Sequence, residues 1–71
     1  MKTHLKQLGF RKRCDRYYHD KLDENYLKYE SYDKKGKGWY FNGTWEHLNK
    51  TPIKNKEHLI NFVKYTFGVE L

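Results

Sequence analysis

Scarcity of aliphatic side chains is the strongest constraint on what this chain can fold into: it holds seven Leu, two Ile, two Val and no Ala, against two Trp, seven Tyr and four Phe. A core drawn from that stock must be largely aromatic. Each ring can bury on the order of 150–250 Å², so a few rings replace many aliphatics. A buried tyrosine hydroxyl still needs a hydrogen-bond partner, so several tyrosines are expected at the core boundary or outside it. The 71 residues make one domain, residues 1–71. A chain of that size buries only about 60–65% of its unfolded surface.

Cys14 is the only cysteine, which excludes an internal disulfide, and Met1-Lys2-Thr3-His4-Leu5-Lys6 has no apolar run suited to a signal peptide. The longest uninterrupted apolar run is Trp39-Tyr40-Phe41, far short of the roughly 18–20 residues of a membrane span. These features predict a soluble, cytoplasmic protein with no membrane role. The net charge of +6 is unevenly spread: residues 1–21 hold seven Lys or Arg against two Asp, whereas residues 22–44 hold four of each sign. All three arginines, Arg11, Arg13 and Arg16, fall in one short window with Lys12. Arginine offers a planar bidentate fork that lysine lacks, so this window favours an acidic partner, either nucleic acid or an acidic protein surface.

Local patterns predict an α+β fold, an antiparallel three- to four-stranded meander with a short N-terminal helix and a C-terminal helix packed on one face. Thr3 to Leu8 reads as the first helix, capped by Thr3 and ended by Gly9. Phe10 to Lys21 reads as one bent or bulged strand. Tyr26 to Tyr32 alternates between Leu27/Tyr29/Ser31 and Tyr26/Lys28/Glu30/Tyr32, and Asp33-Lys34-Lys35-Gly36 fits a type I turn closed by a glycine of positive φ. Trp39-Tyr40-Phe41 is a third strand. Asn42-Gly43 then signals a type I′ hairpin leading to a fourth strand through about Leu48; the rival for residues 44–48 is a short helix capped by Thr44. Asn49 to Lys54 reads as a connector. Leu59, Ile60, Phe62, Val63 and Phe67 recur at helical spacing behind an Asn55 cap and before Gly68, placing the last helix at about residues 55–67.

Few constellations suggest chemistry. Cys14, His19, His47 and His58 lack the spacing of a zinc site, so no metal is expected. Cys14 and His19 would point oppositely on a regular strand, against a Cys-His nucleophile. Gly36-Lys37-Gly38 lacks the spacing of a phosphate loop, and neither a cofactor nor a small-molecule substrate is implied. What remains is a strip of basic residues interleaved with rings: Arg11, Lys12, Arg13, Arg16, Tyr17, Tyr18 and Lys21, with Lys34, Lys35 and Lys37 at the hairpin tip as a possible extension. Guanidinium groups pair with phosphates, and exposed rings stack on unpaired bases. Arginine and tyrosine are equally the residues of protein interfaces, so both partners stay open. Alternation puts Arg11 and Arg13 on one face, and Arg16 joins them only if an irregularity near Cys14-Asp15 shifts the register.

The segment Leu5-Lys6-Gln7-Leu8-Gly9-Phe10 resembles the first helix and turn of HicA-type toxins, small ribonucleases related in fold to double-stranded-RNA-binding domains. Ile53-Lys54-Asn55 through Val69 resembles their last helix. The resemblance implies a ribonuclease in which His19 stands at the catalytic position, although Tyr17-Tyr18 replaces the Gly-Ser that precedes that histidine. The short Lys- and Tyr-rich texture also resembles bacteriophage accessory proteins, which implies an inhibitor that caps a host or defence protein. The leading expectation is a non-catalytic nucleic-acid binder; the alternatives are the phage-type inhibitor binding an acidic surface and the HicA-like ribonuclease.

Overall fold

Two seven-residue strands, Tyr26–Tyr32 (β3) and Gly36–Asn42 (β4), form the middle of the sheet in the computed structural model, which describes residues 1–71 apart from the side chain of His47. Their pairing, Tyr26 opposite Asn42 through Tyr32 opposite Gly36, separates two faces. Leu27, Tyr29, Trp39 and Phe41 share the inner one. Tyr26, Lys28, Glu30, Tyr32, Tyr40 and Asn42 share the outer one. Three-residue strands Arg11–Arg13 (β1), Arg16–Tyr18 (β2) and Thr51–Ile53 (β5) complete one open antiparallel sheet in the order β1-β2-β3-β4-β5. The fold is α+β as expected, with five strands rather than three or four.

Helices Lys2–Gln7 (α1) and Lys56–Phe67 (α2) cover the inner face. Leu5 from α1 and Leu59 and Val63 from α2 are fully buried against Tyr17, Leu27, Phe41 and Ile53, with Phe10 and Leu22 closing the cluster. The buried cluster is mostly aliphatic rather than largely aromatic as the composition suggested: Phe10, Tyr17 and Phe41 are its rings, and Trp39, Phe62 and Phe67 pack against it half-buried. Phe41 meets Phe62 at 4.9 Å and Phe67 at 5.5 Å between ring centroids. The Asn55 side chain accepts from the His58 N–H, and Gly68 ends α2 at φ 69°. Burial keeps to the stripe of Leu59 and Val63, four apart.

Four local expectations are corrected. Thr3 does not cap α1; Met1 holds that position without a side-chain bond. Phe10 to Lys21 is not one bent strand but the hairpin β1–β2, turned by Cys14 and Asp15, followed by a 3-10 turn over Asp20–Leu22. Cys14 takes φ 58°, which a two-residue hairpin turn demands at its first position. Asn42-Gly43 makes no tight hairpin, and residues 44–48 are not a strand. The chain loops out through a 3-10 turn over Glu46–Leu48 whose N-cap is Trp45 rather than Thr44. Two asparagines clasp this loop: Gly43 N–H donates to Asn49 Oδ1 at 2.8 Å, and Lys50 N–H donates to Asn42 Oδ1 at 3.3 Å. Residues 49–54 are accordingly no mere connector, because Thr51-Pro52-Ile53 pairs with β4 as an edge strand. An edge tolerates Pro52, whose missing N–H leaves no ladder bond unmade.

Candidate functional site

Two residues of turn between Arg13 and Arg16 decide what the outer face presents. The hairpin register pairs Arg13 directly with Arg16 and Arg11 with Tyr18, and β2 pairs onward so that Tyr18 faces Tyr26. Arg11, Arg13, Arg16, Tyr18 and Tyr26 therefore stand together, on the side of the sheet that no helix covers. Shallow hollows of about 370 Å³ between Arg11, Lys12, Arg13 and Tyr18, and of about 420 Å³ between Arg13, Arg16, Tyr18 and Tyr26, lie side by side. Glu24, Gly43 and Thr44 line the second from the loop side.

The charges here are only partly answered. Arg11 is ion-paired with Asp20. Arg13 and Arg16 form no salt bridge among the described residues, yet they oppose each other across the ladder, where like charges are destabilising. Arg16 lays its guanidinium 4.4 Å from the centroid of Tyr26, a cation–π contact. A hydrogen bond to the Tyr18 side chain, followed by the field of Tyr26, raises the Arg16 pKa further above its ordinary value. Its charge is permanent. Tyr18 and Tyr26 lie tilted against each other at 5.6 Å.

The rest of the outer face, over β3, β4 and β5, is a self-satisfied polar layer. Tyr40 is buried beneath the ring of Tyr32, at 4.8 Å, and donates its hydroxyl to Gly36 O at 2.7 Å. Asn42 Nδ2 donates to Glu30 Oε2 at 3.2 Å. A hydrogen bond to Glu30, then desolvation, pushes the Tyr32 hydroxyl up to about 12. Lys28 bridges Asp15 at 3.3 Å and Glu30 at 3.7 Å, and its hydrogen bond holds the Asp15 carboxyl below the ordinary carboxylate value. Lys28 thus answers two acids in this half, while Lys50 rests 5.1 Å from the centroid of the Tyr32 ring. The arginines gather at the β1–β2 end.

Other expected residues are placed elsewhere. Lys12 takes the inner-side register position opposite Tyr17, although its side chain also reaches the hollow beside Arg11 and Arg13, and Tyr17 is a core residue, too buried to stack on a ligand. Lys21 donates to Glu70 O at 3.3 Å. Lys34, Lys35 and Lys37 sit at or beside the β3–β4 tip, outside the arginine cluster, and Lys35 donates to Lys50 O at 2.9 Å. Tyr26, absent from the expected strip, belongs to the site. Its alternation with Leu27 was visible in the sequence, but its pairing to β2 was not.

His19 is built into the scaffold. Nδ1 accepts the Lys21 N–H at 3.1 Å, so Nε2 carries the proton and donates to Leu8 O at 2.9 Å. Both nitrogens are thus occupied in fastening the end of α1 to the end of β2, and the ring edge packs on Phe10 at 5.0 Å. Among the described residues no group of three His, Cys, Asp or Glu side chains could hold a metal ion, and no helix is long and apolar enough to cross a membrane. The side chain of His47 lies outside the described residues. No family model, curated protein or solved structure matches the chain, so its own residues carry the functional reading.

Proposed function

We propose that this protein binds nucleic acid without catalysis, through the arginine end of its outer sheet face. The observation that carries the reading is the cross-strand pairing of Arg13 with Arg16 on an uncovered face, with no carboxylate bridging either. Two such guanidinium groups repel each other in the free protein. A polyanion relieves that repulsion, and bidentate hydrogen bonds to successive phosphates add to the gain. Arg11, ion-paired with an exposed Asp20, extends the row along β1, and Tyr18 and Tyr26 set its inner boundary. The hollows are shallow and open, which suits a backbone tracked along a surface better than a small molecule enclosed in a pocket.

The test is Arg13→Gln with Arg16→Gln, titrated against labelled oligonucleotides over a range of salt. Both side chains are on the surface, so melting should change little. Affinity should fall for all sequences alike, and the slope of log K against log salt should flatten by about 1.4 for a single strand or about 1.8 for a duplex. An unchanged slope and affinity would remove the arginines from any nucleic-acid site. Capture of an acidic protein that survives nuclease treatment, and is lost with the double variant, would instead favour the phage-type inhibitor.

A further inference from the structure

We infer that a second surface, at the tip end of the inner face, is a stacking shelf for unpaired bases, so that the protein prefers single-stranded nucleic acid to duplex. The inference rests on the reading that the arginine end holds the phosphate backbone.

β3 and β4 continue past the Cys14–Asp15 turn, and the helices do not cover their last inner positions. There Tyr29 pairs with Trp39 across the ladder. Tyr29 is 56% exposed and Trp39 is half-buried. The rings brace one another: Tyr17, fixed in the core, meets Trp39 edge-on at 5.5 Å, and Trp39 meets Tyr29 edge-on at 5.6 Å. An aromatic surface already held in place loses little freedom when a ligand settles on it. The core does not require it, since the Tyr29 ring contributes little to burial.

Cations flank the shelf. Lys2 from α1 and Lys12 from β1 line a hollow of about 120 Å³ with Tyr17, Tyr29 and Trp39. Asp15 is the one acid there, and its carboxylate is engaged by Lys28. Alternation along the edge strand makes β1 two-sided: Arg11 and Arg13 serve the outer face, while Lys12 borders hollows on both. A chain crossing this edge meets cations on both sides and rings at the end of its path.

Only a flexible chain can take that path. Duplex DNA has a persistence length of about 50 nm, whereas the whole domain measures 31 × 25 × 22 Å. Duplex bases are also stacked on each other and offer no free face to a ring, whereas unpaired bases stack on exposed aromatics irrespective of sequence.

The test uses the full chain with Trp45→Phe, which leaves Trp39 as the sole indole. Its emission is followed during titration with a single-stranded oligonucleotide of about twelve residues, a size within the range of such sites, and with a duplex of matched phosphate number. Single strand should quench Trp39 in step with binding, and duplex should not. Adding Tyr29→Ala should weaken single-strand binding roughly tenfold, with duplex affinity unchanged and the far-ultraviolet melting curve lowered by no more than the loss of its single edge contact with Trp39. Arginine-dependent single-strand binding with no change in Trp39 emission, or equal affinity for both forms, would refute the shelf and leave the arginine reading standing. Binding to neither form would refute both.

Discussion

Replacing His19 separates a structural histidine from a catalytic one. His19→Ala removes the Nε2–H bond to Leu8 O and the Nδ1 acceptor for Lys21 N–H, about 1 kcal/mol each at most in these partly exposed positions. It also removes the edge contact with Phe10, about 0.5–1.5 kcal/mol. The sum is about 2.5–3.5 kcal/mol at most, against about 4–10 kcal/mol expected for a chain of this length. Thermal unfolding followed by circular dichroism should show Tm falling by roughly 10–20 °C. His19→Asn should recover part of that loss, because an asparagine oxygen can still accept the Lys21 N–H as a cap but is too short to reach Leu8. Below the melting range, affinity for nucleic acid should match the wild type in both variants. A Tm within about 3 °C of wild type for His19→Ala would refute the fastening role. Histidine-dependent cleavage of RNA in the presence of chelator would refute the non-catalytic reading and restore the HicA-like alternative.

Gly43 packs against Asn25 so closely that a Cβ there would overlap Asn25 Oδ1, and that side chain is buried and bonded to Leu22 O. Gly43→Ala should therefore cost about 1–3 kcal/mol in denaturant unfolding, and a stability equal to wild type would show that the 22–25 and 42–45 loops do not lock together. The Tyr32 hydroxyl, raised to about 12, keeps its proton longer in the folded than in the unfolded chain. Its contribution is complete below the ordinary tyrosine value near 10 and is lost as pH climbs through the folded value. Tyrosinate absorbance should accordingly show a late step that Tyr32→Phe abolishes, and a titration without that step would refute the Glu30 bond.

Elements whose instructions are local were legible in the sequence. α2 could be placed because its apolar spacing, its Asn55 cap and its Gly68 terminator agree, and each is realised. The β3–β4 hairpin followed from alternation and from the positive φ of Gly36, which is 84°. Asn42-Gly43 misled because the same two residue types that permit a tight turn also supply side-chain and close-packing options. Asn42 spends its amide on Glu30 and its oxygen on Lys50, and Gly43 is needed where Asn25 approaches. Those partners are eight to eighteen positions away, in segments whose proximity exists only after the sheet has formed. Thr51-Pro52-Ile53 was hidden for a related reason: a proline argues against a strand unless the strand is already known to be at an edge.

The candidate site was half legible, and parity explains which half. Composition concentrated the arginines, but side chains alternate along a strand, so membership of a face depends on the number of residues in the turn rather than on distance in sequence. With two turn residues, Arg13 and Arg16 become direct partners and Tyr17 is sent inward to the core. Alternation along β1 sets Lys12 on the side of Trp39 and Tyr29, and as an edge residue its side chain also borders the hollow between Arg11 and Arg13. A basic strip that reads as one patch is thereby divided between two faces of a thin sheet. That division makes a ligand able to bend around the edge a better match than one that must lie flat on a single face.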